Sequence, residues 1–455
     1  MSETIVCKFG GTSLATREKV DHVKRIINDD GKREYIVVSA PGSYKKDHDP
    51  VIYPKVTKLL KDLAGMERRL TDAAAQLLDA IAQRYENIYP GSKKTVASDL
   101  RNRFTSEIKD HEAYWANLLA AGEYWQGFLL AEDISAQFID PTKFIKVSGS
   151  LRNARVLPVT YDLLLALSKK YPYKQKVIPG FYGATEEGLI GLLNEGGSDR
   201  TGSEVAVGVR AKIYENFSDY SVLAADPALV PGAKPIREMT QKELRDLAYS
   251  GFKILQQEAI LPLQGTPITL HIRSTDAYPE EGTRVVEDRV SDPQKPIIGI
   301  AYKPGFCAFS IEESGVNERI GLLHEMLDVF ARREIPVEFP PCGIDDISVI
   351  LEQDQIAAKV SEIKQELADT VIPPNTERRK KDVEFTDNLG IVVMAGKGIA
   401  RDHHLEALIL STLAENKIEI IAESKGVKRR CLIYVIPQSQ GRTAVNALYN
   451  QFIEN

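Results

Sequence analysis

No apolar run in this 455-residue chain approaches the ~18 residues that a membrane-spanning helix needs, and the N-terminus, MSETIVCKF, lacks the charged-then-apolar pattern of a signal peptide. The chain is therefore expected to stay in the cytoplasm. Its four cysteines, Cys7, Cys307, Cys342 and Cys431, form no CxxC pair and have no histidine partners, which argues against a structural zinc and suits a reducing compartment. Histidine is equally dispersed, and the neighbours His403 and His404 in a predicted helix cannot share one face as a metal-binding pair would. No protein-held metal site is expected. The net charge is -6, with Lys and Arg interspersed among acids, so nothing in the chain asks for a nucleic-acid partner. What remains is an ordinary globular composition, 43% hydrophobic and 27% charged, long enough for about three domains.

The most informative stretch is IVCKFGGTS, residues 5–13. A buried strand would carry Lys8 to its carboxyl end. Gly10 and Gly11 would let the backbone approach an anion, and Thr12 and Ser13 stand where a helix would begin. Read alone, the stretch is either a phosphate grip or a plain strand-to-helix bend with a solvated lysine. The order excludes a Walker A loop, whose lysine follows its glycines. Val20, Val23 and Ile27 then recur at helical spacing, and YIVVSA, residues 35–40, reads as a second buried strand ending at Ser39. Such strand ends are where open α/β sheets bind ligands.

From Pro54 to Asp133 the pattern is helical, a lobe inserted into an α/β domain, with Gly122 and Glu123 interrupting its last helix. A lone glutamate there is ordinarily a solvated helix residue. The sheet resumes at KVIPGF, residues 176–181, and LIGLL, residues 189–193, which ends in Gly196-Gly197-Ser198-Asp199 before another helix. Ser198 or Asp199 is expected to cap that helix. With two glycine turns at strand ends, one can face phosphate while the other supplies Asp199 to hold Lys8. Beyond Pro296 two βαββα units follow in tandem, the first with strands read at CAFSIE (307–312), IPVEF (335–339) and ISVILEQ (347–353), the second with strands at GIVVMAG (390–396), KIEIIAE (417–423) and RCLIYVI (430–436), joined by a charged, proline-containing linker near 373–381. The second unit lacks a closing strand, and the early strand IIGIAY, residues 297–302, would supply it by interleaving the two copies.

KFGGTS (8–13), VVSAPG (37–42), Gly122-Glu123, PGF (179–181), GGSD (196–199) and GTRV (282–285) follow the order and rough spacing of the aspartate kinases. The chain resembles that family over essentially its whole length. The resemblance implies a three-layer αβα amino acid kinase sandwich with a mostly parallel sheet over 1–290, including a helical insertion at about 54–133. It further implies two α+β regulatory units of the ACT type at 297–372 and 388–455. The implied activity is ATP- and Mg2+-dependent phosphorylation of a carboxylate, best L-aspartate, under feedback control by an amino acid, in a homodimer or larger homo-oligomer joined through the C-terminal half.

By that resemblance Lys8 and Asp199 are catalytic, with Asp199 orienting the lysine. Lys8, Gly10, Gly11, Ser13, Ser218, Asp219, Asp226 and Lys253 meet the nucleotide and its phosphates. Ser39, Thr57, Glu123, Phe181, Glu195, Gly197 and Ser198 meet the acceptor, with Glu123 on its ammonium. An effector is expected near Asn317, Gly321, Asp345 and Asp346. The sequence also departs from the family. Glu195 stands where relatives carry an arginine that holds a substrate carboxylate, and the nucleotide segment SDYSVLAADP, residues 218–227, is one residue short. A glutamate repels a carboxylate, so weakened phosphorylation of aspartate is expected unless Arg200, Arg152 or Arg155 compensates. Two alternatives follow: a same-fold kinase for another amino acid or carboxylic acid, or a catalytically silent ACT-type ligand sensor.

Overall fold

The computed structural model describes residues 4–45, 52–170, 175–194, 196–219, 221–249, 260–312, 319–356, 359–371, 383–397, 399–425 and 431–454. Glu195, Lys253, Asn317 and the 373–381 linker lie outside the described residues. The chain divides into two compact units. The first comprises Met1–Val222, Pro235–Gln241 and Lys253–Arg289, and the second comprises Leu223–Lys234, Lys242–Phe252 and Val290–Asn455.

The first unit is built on β1 (Ile5–Phe9), every residue of which is buried. A strand buried on both faces reads as a continuous apolar run, and IVCKF breaks that run only at Lys8. The helix α1 (Arg17–Asp29) follows, its first turn closed by Thr16, whose hydroxyl accepts from the Lys19 amide at 3.4 Å. Strand β2 (Arg33–Val38) and a short hairpin, β3 (Tyr44–Lys45) with β4 (Ile52–Tyr53), lead into the helical lobe. The lobe contains α2 (Val56–Ala64), α3 (Asp72–Ile88), α4 (Lys93–Phe104), α5 (His111–Leu119) and α6 (Ala121–Asp133). Next come β5 (Gln137–Phe138), the pair β6 (Val147–Ser148) and β7 (Arg155–Val156), α7 (Val159–Lys170), β8 (Lys176–Pro179), and the hairpin β9 (Tyr182–Ala184) with β10 (Ile190–Leu192). Helix α8 (Gly197–Gly208) precedes β11 (Ile213–Ser218), β12 (Glu238–Thr240), β13 (Thr269–Ser274) and β14 (Thr283–Val286).

Eight of these strands form one sheet in the order β12-β14-β13-β11-β1-β2-β8-β5, and only the β13–β14 pairing is antiparallel. Along β1 the side chains alternate between the faces. Cys7 and Phe9 join the apolar core formed with α1 and the helical lobe, while α8 packs over β1, β2 and β11 on the other side. The expected three layers are therefore present. Successive connections leave β1 in opposite directions, to β2 on one side and β11 on the other, which places a ligand crevice at its carboxyl end.

On the α1 face, a buried brace ties β2, β11 and β13 together across β1. The Arg33 guanidinium reaches across β1 to Glu215, with Nε donating to Oε2 at 2.6 Å, and Arg273 Nη1 donates to Glu215 Oε1 at 2.9 Å. One carboxylate thus serves two arginines, which also lie over the faces of Phe217 and Tyr278.

The second unit carries a single antiparallel sheet in the order β16-β15-β17-β19-β18: β15 (Gly299–Glu312), β16 (Asp346–Glu352), β17 (Val383–Ala395), β18 (Ala422–Ser424) and β19 (Cys431–Pro437). IIGIAY and CAFSIE, read as separate strands, are parts of one 14-residue strand that shifts register around Gly305, whose φ is 90°. Its first residues, Gly299–Lys303, pair with Ile391–Ala395, the interleaving that the repeat pattern called for. The strand expected at 335–339 does not form. Phe339 and Cys342 make only isolated bridges, to Ile350 and Ile347. The strand expected at 417–423 is reduced to β18.

Replacing Glu215 by Gln leaves two buried guanidinium groups without an anion. Glu215→Gln is expected to cost about 3–5 kcal/mol, read as a lowered denaturation midpoint in urea with an unchanged slope.

Candidate active site

At the carboxyl end of β1 the strand gives way to Gly10 and Gly11. A Cβ on Gly11 would lie 2.7 Å from the Ala40 carbonyl, and one on Gly42 would lie 2.5 Å from the Gly11 carbonyl carbon. The two loops therefore touch backbone to backbone, with the Gly42 amide donating to Gly11 O at 2.7 Å. The second glycine turn opens α8 differently from the sequence expectation. Neither Ser198 nor Asp199 caps it. Gly196 does, with φ at 79°, a left-handed conformation that glycine adopts without penalty. The helix thus begins at Gly197, and Asp199 falls in its first turn.

There Asp199 meets Lys8, Nζ to Oδ1 at 2.5 Å. Lys8 is only 6% exposed, so it does not sit at a solvated strand end, and its charge is stabilised by the carboxylate. Asn216, the residue beside Lys8 on β11, donates from Nδ2 to the same Asp199 oxygen at 2.8 Å. Gly180 and Gly197 complete the fit, because a Cβ on the first would meet Ser198 at 2.7 Å and one on the second would meet Phe181 at 2.8 Å. Phe181 itself holds a positive φ of 77°.

These elements enclose a cavity of about 520 Å³. Its walls include Lys8, Gly11, Ser39, Thr57, Glu123, Phe181, Gly197, Ser198 and Asp199, which brings most of the sequence-predicted acceptor residues together. Glu123 projects from α6. Its Oε1 accepts from the Ala40 amide at 3.1 Å, and its Oε2 finds no partner among the described residues. Burial pushes its carboxyl up to about 7, against the help of the Ala40 hydrogen bond. Helix α3 fixes the surroundings. Tyr85 donates its hydroxyl to the Gly122 carbonyl at 2.6 Å, and buried Arg84 donates to Gly42 O at 2.8 Å, Pro54 O at 2.5 Å and Ala15 O at 3.4 Å.

Two phosphate-binding expectations fail on geometry. The Gly10 amide donates to Phe217 O at 3.1 Å and is spent within the sheet, whereas the Gly11 amide finds no acceptor among the described residues. Ser13 is buried with its hydroxyl 2.6 Å from that of Thr275, so it does not line the cavity. Ser218 and Asp219 lie at the end of β11, where the Thr12 hydroxyl donates to exposed Asp219. Asp226 belongs to the second unit and accepts from the Ala228 amide at 2.8 Å, closing its own turn. In the same unit Gly321, with φ at 87°, opens the helix Leu322–Ala331, and Asp345 and Asp346 are exposed at the start of β16.

Of the three candidate compensating arginines, Arg200 turns back to buried Glu204 at 2.6 Å, and Arg155 is not in the wall. Arg152 is. Lys55 and Lys61 also line the cavity and were not singled out from the sequence. For Lys61 the signal was its i, i+4 spacing from Thr57, which puts both on one face of α2. Among the described residues no cluster of three or more His, Cys, Asp or Glu could hold a metal ion, and no helix is long and apolar enough to cross a membrane.

Residues 3–274 match the model of the amino acid kinase family. Aspartokinase 3 of Bacillus subtilis is 31% identical over 467 aligned residues, covering 98% of each chain. Aspartate kinase of Clostridium acetobutylicum superposes with a TM-score of 0.85 at 28% identity, over 98% of this chain and 100% of that one. Aspartokinase III of Escherichia coli, in a complex with aspartate and ADP, shares the fold with a TM-score of 0.74 at 21% identity, over 98% of this chain and 99% of its own. With the parallel sheet, both glycine turns and the ACT-type C-terminal sheet in place, this chain belongs to the amino acid kinase family and, within it, to the aspartokinases, phosphotransferases that act on a carboxyl group.

Proposed function

We propose that the protein transfers the γ-phosphoryl group of ATP to the side-chain carboxylate of L-aspartate, giving 4-phospho-L-aspartate and ADP. The observation that carries this reading is the pair of buried Lys8 with Asp199, lining the same cavity as the unpartnered oxygen of Glu123. A carboxylate of pKa near ~4 is already ionised at neutral pH, so its oxygen can attack phosphorus without a general base. The P–O bond to the β-phosphate breaks as the new one forms. What the site must supply is positive charge, because two anions approach each other and the loose transition state spreads charge over the phosphoryl oxygens. Lys8, fixed by Asp199, supports that charge with no reorganisation, aided by the Gly11 amide. Lys55 and Lys61 add to the field at the α2 wall. Magnesium would arrive with the nucleotide, since it is usually held by phosphates and one or two carboxylates and needs no dedicated protein cage. Glu123, from the opposite helix, pairs with the acceptor's ammonium group.

In the second unit, an amino-acid effector would be recognised by the helix start at Gly321 and the Asp345–Asp346 pair, together with Asn317, and chains would associate through residues 297–455. The four free thiols fit a cytoplasmic setting.

Trapping acyl phosphate with hydroxylamine, across a panel of acidic amino acids with Mg-ATP, tests the substrate. Aspartate hydroxamate is expected to form fastest. A faster acid would replace aspartate in this reading, and no hydroxamate at all would leave the silent ligand sensor. Lys8→Met is expected to lower turnover by roughly 100-fold or more, and Asp199→Asn to lower it less, since that residue positions a charge and does not deliver one. A Lys8→Met variant with full turnover removes Lys8 from the chemistry.

Glu123 gives a pH signature. Its folded pKa, about 7, lies above the ordinary 4.5, so its contribution to stability is fully present below pH 4.5 and is lost as the pH rises through 7. Raising the pH from about 5 to 8 should therefore lower the melting temperature of the unliganded protein more than that of Glu123→Gln. Equal losses in the two proteins would show that Glu123 is ionised throughout.

A further inference from the structure

We infer that Arg152 binds the carboxylate of the acceptor that is not phosphorylated, and so selects dicarboxylic amino acids; the inference rests on the kinase reading of this cavity. The loop that carries Arg152 is pinned from two sides. Glu112, on α5, accepts from the Leu151 amide at 3.0 Å and from the Ser150 hydroxyl at 3.0 Å. On the other side, the Ala154 amide donates to Leu192 O at 2.8 Å, and the Leu192 amide donates to Leu151 O at 2.8 Å. Arg152 is thereby held between α5 and the strand that leads to Asn194, two elements that both line the cavity.

The side chain is also oriented. Its guanidinium lies over the Trp115 ring, 4.6 Å from the centroid, and Nη2 donates to His111 Nδ1 at 2.9 Å. Arginine can only donate, so this imidazole nitrogen accepts. Arg152 has no carboxylate partner among the described residues, whereas Arg33, Arg200 and Arg273 are each paired with an acid. Its planar fork matches a carboxylate in two parallel hydrogen bonds, and its aromatic shelf leaves the remaining donors available.

Charge placement fixes which anion it takes. Lys8 comes from β1, Lys55 from the residue that precedes α2 and Lys61 from α2 itself, the walls beside the glycine loop, and all three suit phosphate as point charges. Arg152 comes from the wall with Phe181, Leu192 and Asn194. An amino acid whose ammonium meets Glu123 and whose reacting carboxylate meets Lys8 has one anionic group left, and Arg152 is the remaining arginine in the cavity wall among the described residues.

Calorimetric titration of the full chain tests this without requiring turnover. The ligands are L-aspartate, its amide at the carboxylate next to the ammonium, and Mg-ADP. The proteins are the unmodified chain, Arg152→Gln, Arg152→Lys and, as a control outside the cavity, Arg155→Gln, each first shown to melt at an unchanged temperature. Arg152→Gln is expected to weaken aspartate binding by about 10- to 100-fold, the worth of a charge-assisted hydrogen bond, while leaving the amide and Mg-ADP unchanged. Arg152→Lys should recover part of the loss and Arg155→Gln should lose nothing. Aspartate binding that Arg152→Gln leaves intact, or a loss shared equally by the amide or by Mg-ADP, overturns the assignment of Arg152 alone. An unmodified chain that binds Mg-ADP but no acidic amino acid overturns the kinase reading together with it.

Discussion

A lysine that is 6% exposed has to be paired, and the site follows from how that requirement is met. Lys8 sits on a central strand of the sheet with little water to hydrate its charge, so an anion must be brought to it from another element. The turn at Gly196–Gly197 does this by starting α8 early enough to swing Asp199 over β1, and Asn216 on the neighbouring strand locks the carboxylate from beneath. Close packing of Gly180 on Ser198 and of Gly197 on Phe181 leaves that turn little freedom. The same pair that solves a folding problem therefore presents a preorganised cation to a ligand.

The helical lobe has an equally specific task. Buried Arg84 has no acid beside it among the described residues and spends its donors on the carbonyls of three separate segments, while Tyr85, one residue on, holds Gly122. One turn of α3 thus fixes the Gly42 loop, the entry to α2 and the helix bearing Glu123. Desolvation of these groups is offset by hydrogen bonds whose geometry doubles as the shape of the cavity.

The parts of this arrangement that were legible in the sequence are those set by local pattern. IVCKF announced a buried strand, the spacing of Val20, Val23 and Ile27 its following helix, and KFGGTS with GGSD named the two turns. Three-dimensional competition decided the rest. Gly10 looked like a phosphate donor, but the neighbouring strand claims its amide; Ser13 looked like another, but Thr275, distant in sequence, claims its hydroxyl. Asp199 resembled a cap because the left-handed Gly196 could not be foreseen. IPVEF, residues 335–339, has the composition of a strand, yet only Phe339 finds a ladder partner. Pro304 and Gly305 separate IIGIAY from CAFSIE in the sequence, but both residues are absorbed into β15 by a shift of register. Arg152 gave little signal by itself, since its place depends on Glu112 and Leu192 pinning its loop.

Strand β15 carries a consequence for how the C-terminal half comes apart. Its first residues close the sheet of the second repeat and its last residues form the sheet of the first, with β17 running beside nearly its whole length. Neither repeat owns a complete set of strands. Melting either one strips hydrogen bonds from the strand that the other needs, so the two repeats are coupled into one cooperative unit. A tandem duplication, which in principle could have produced two independent modules, has instead produced a single folding domain.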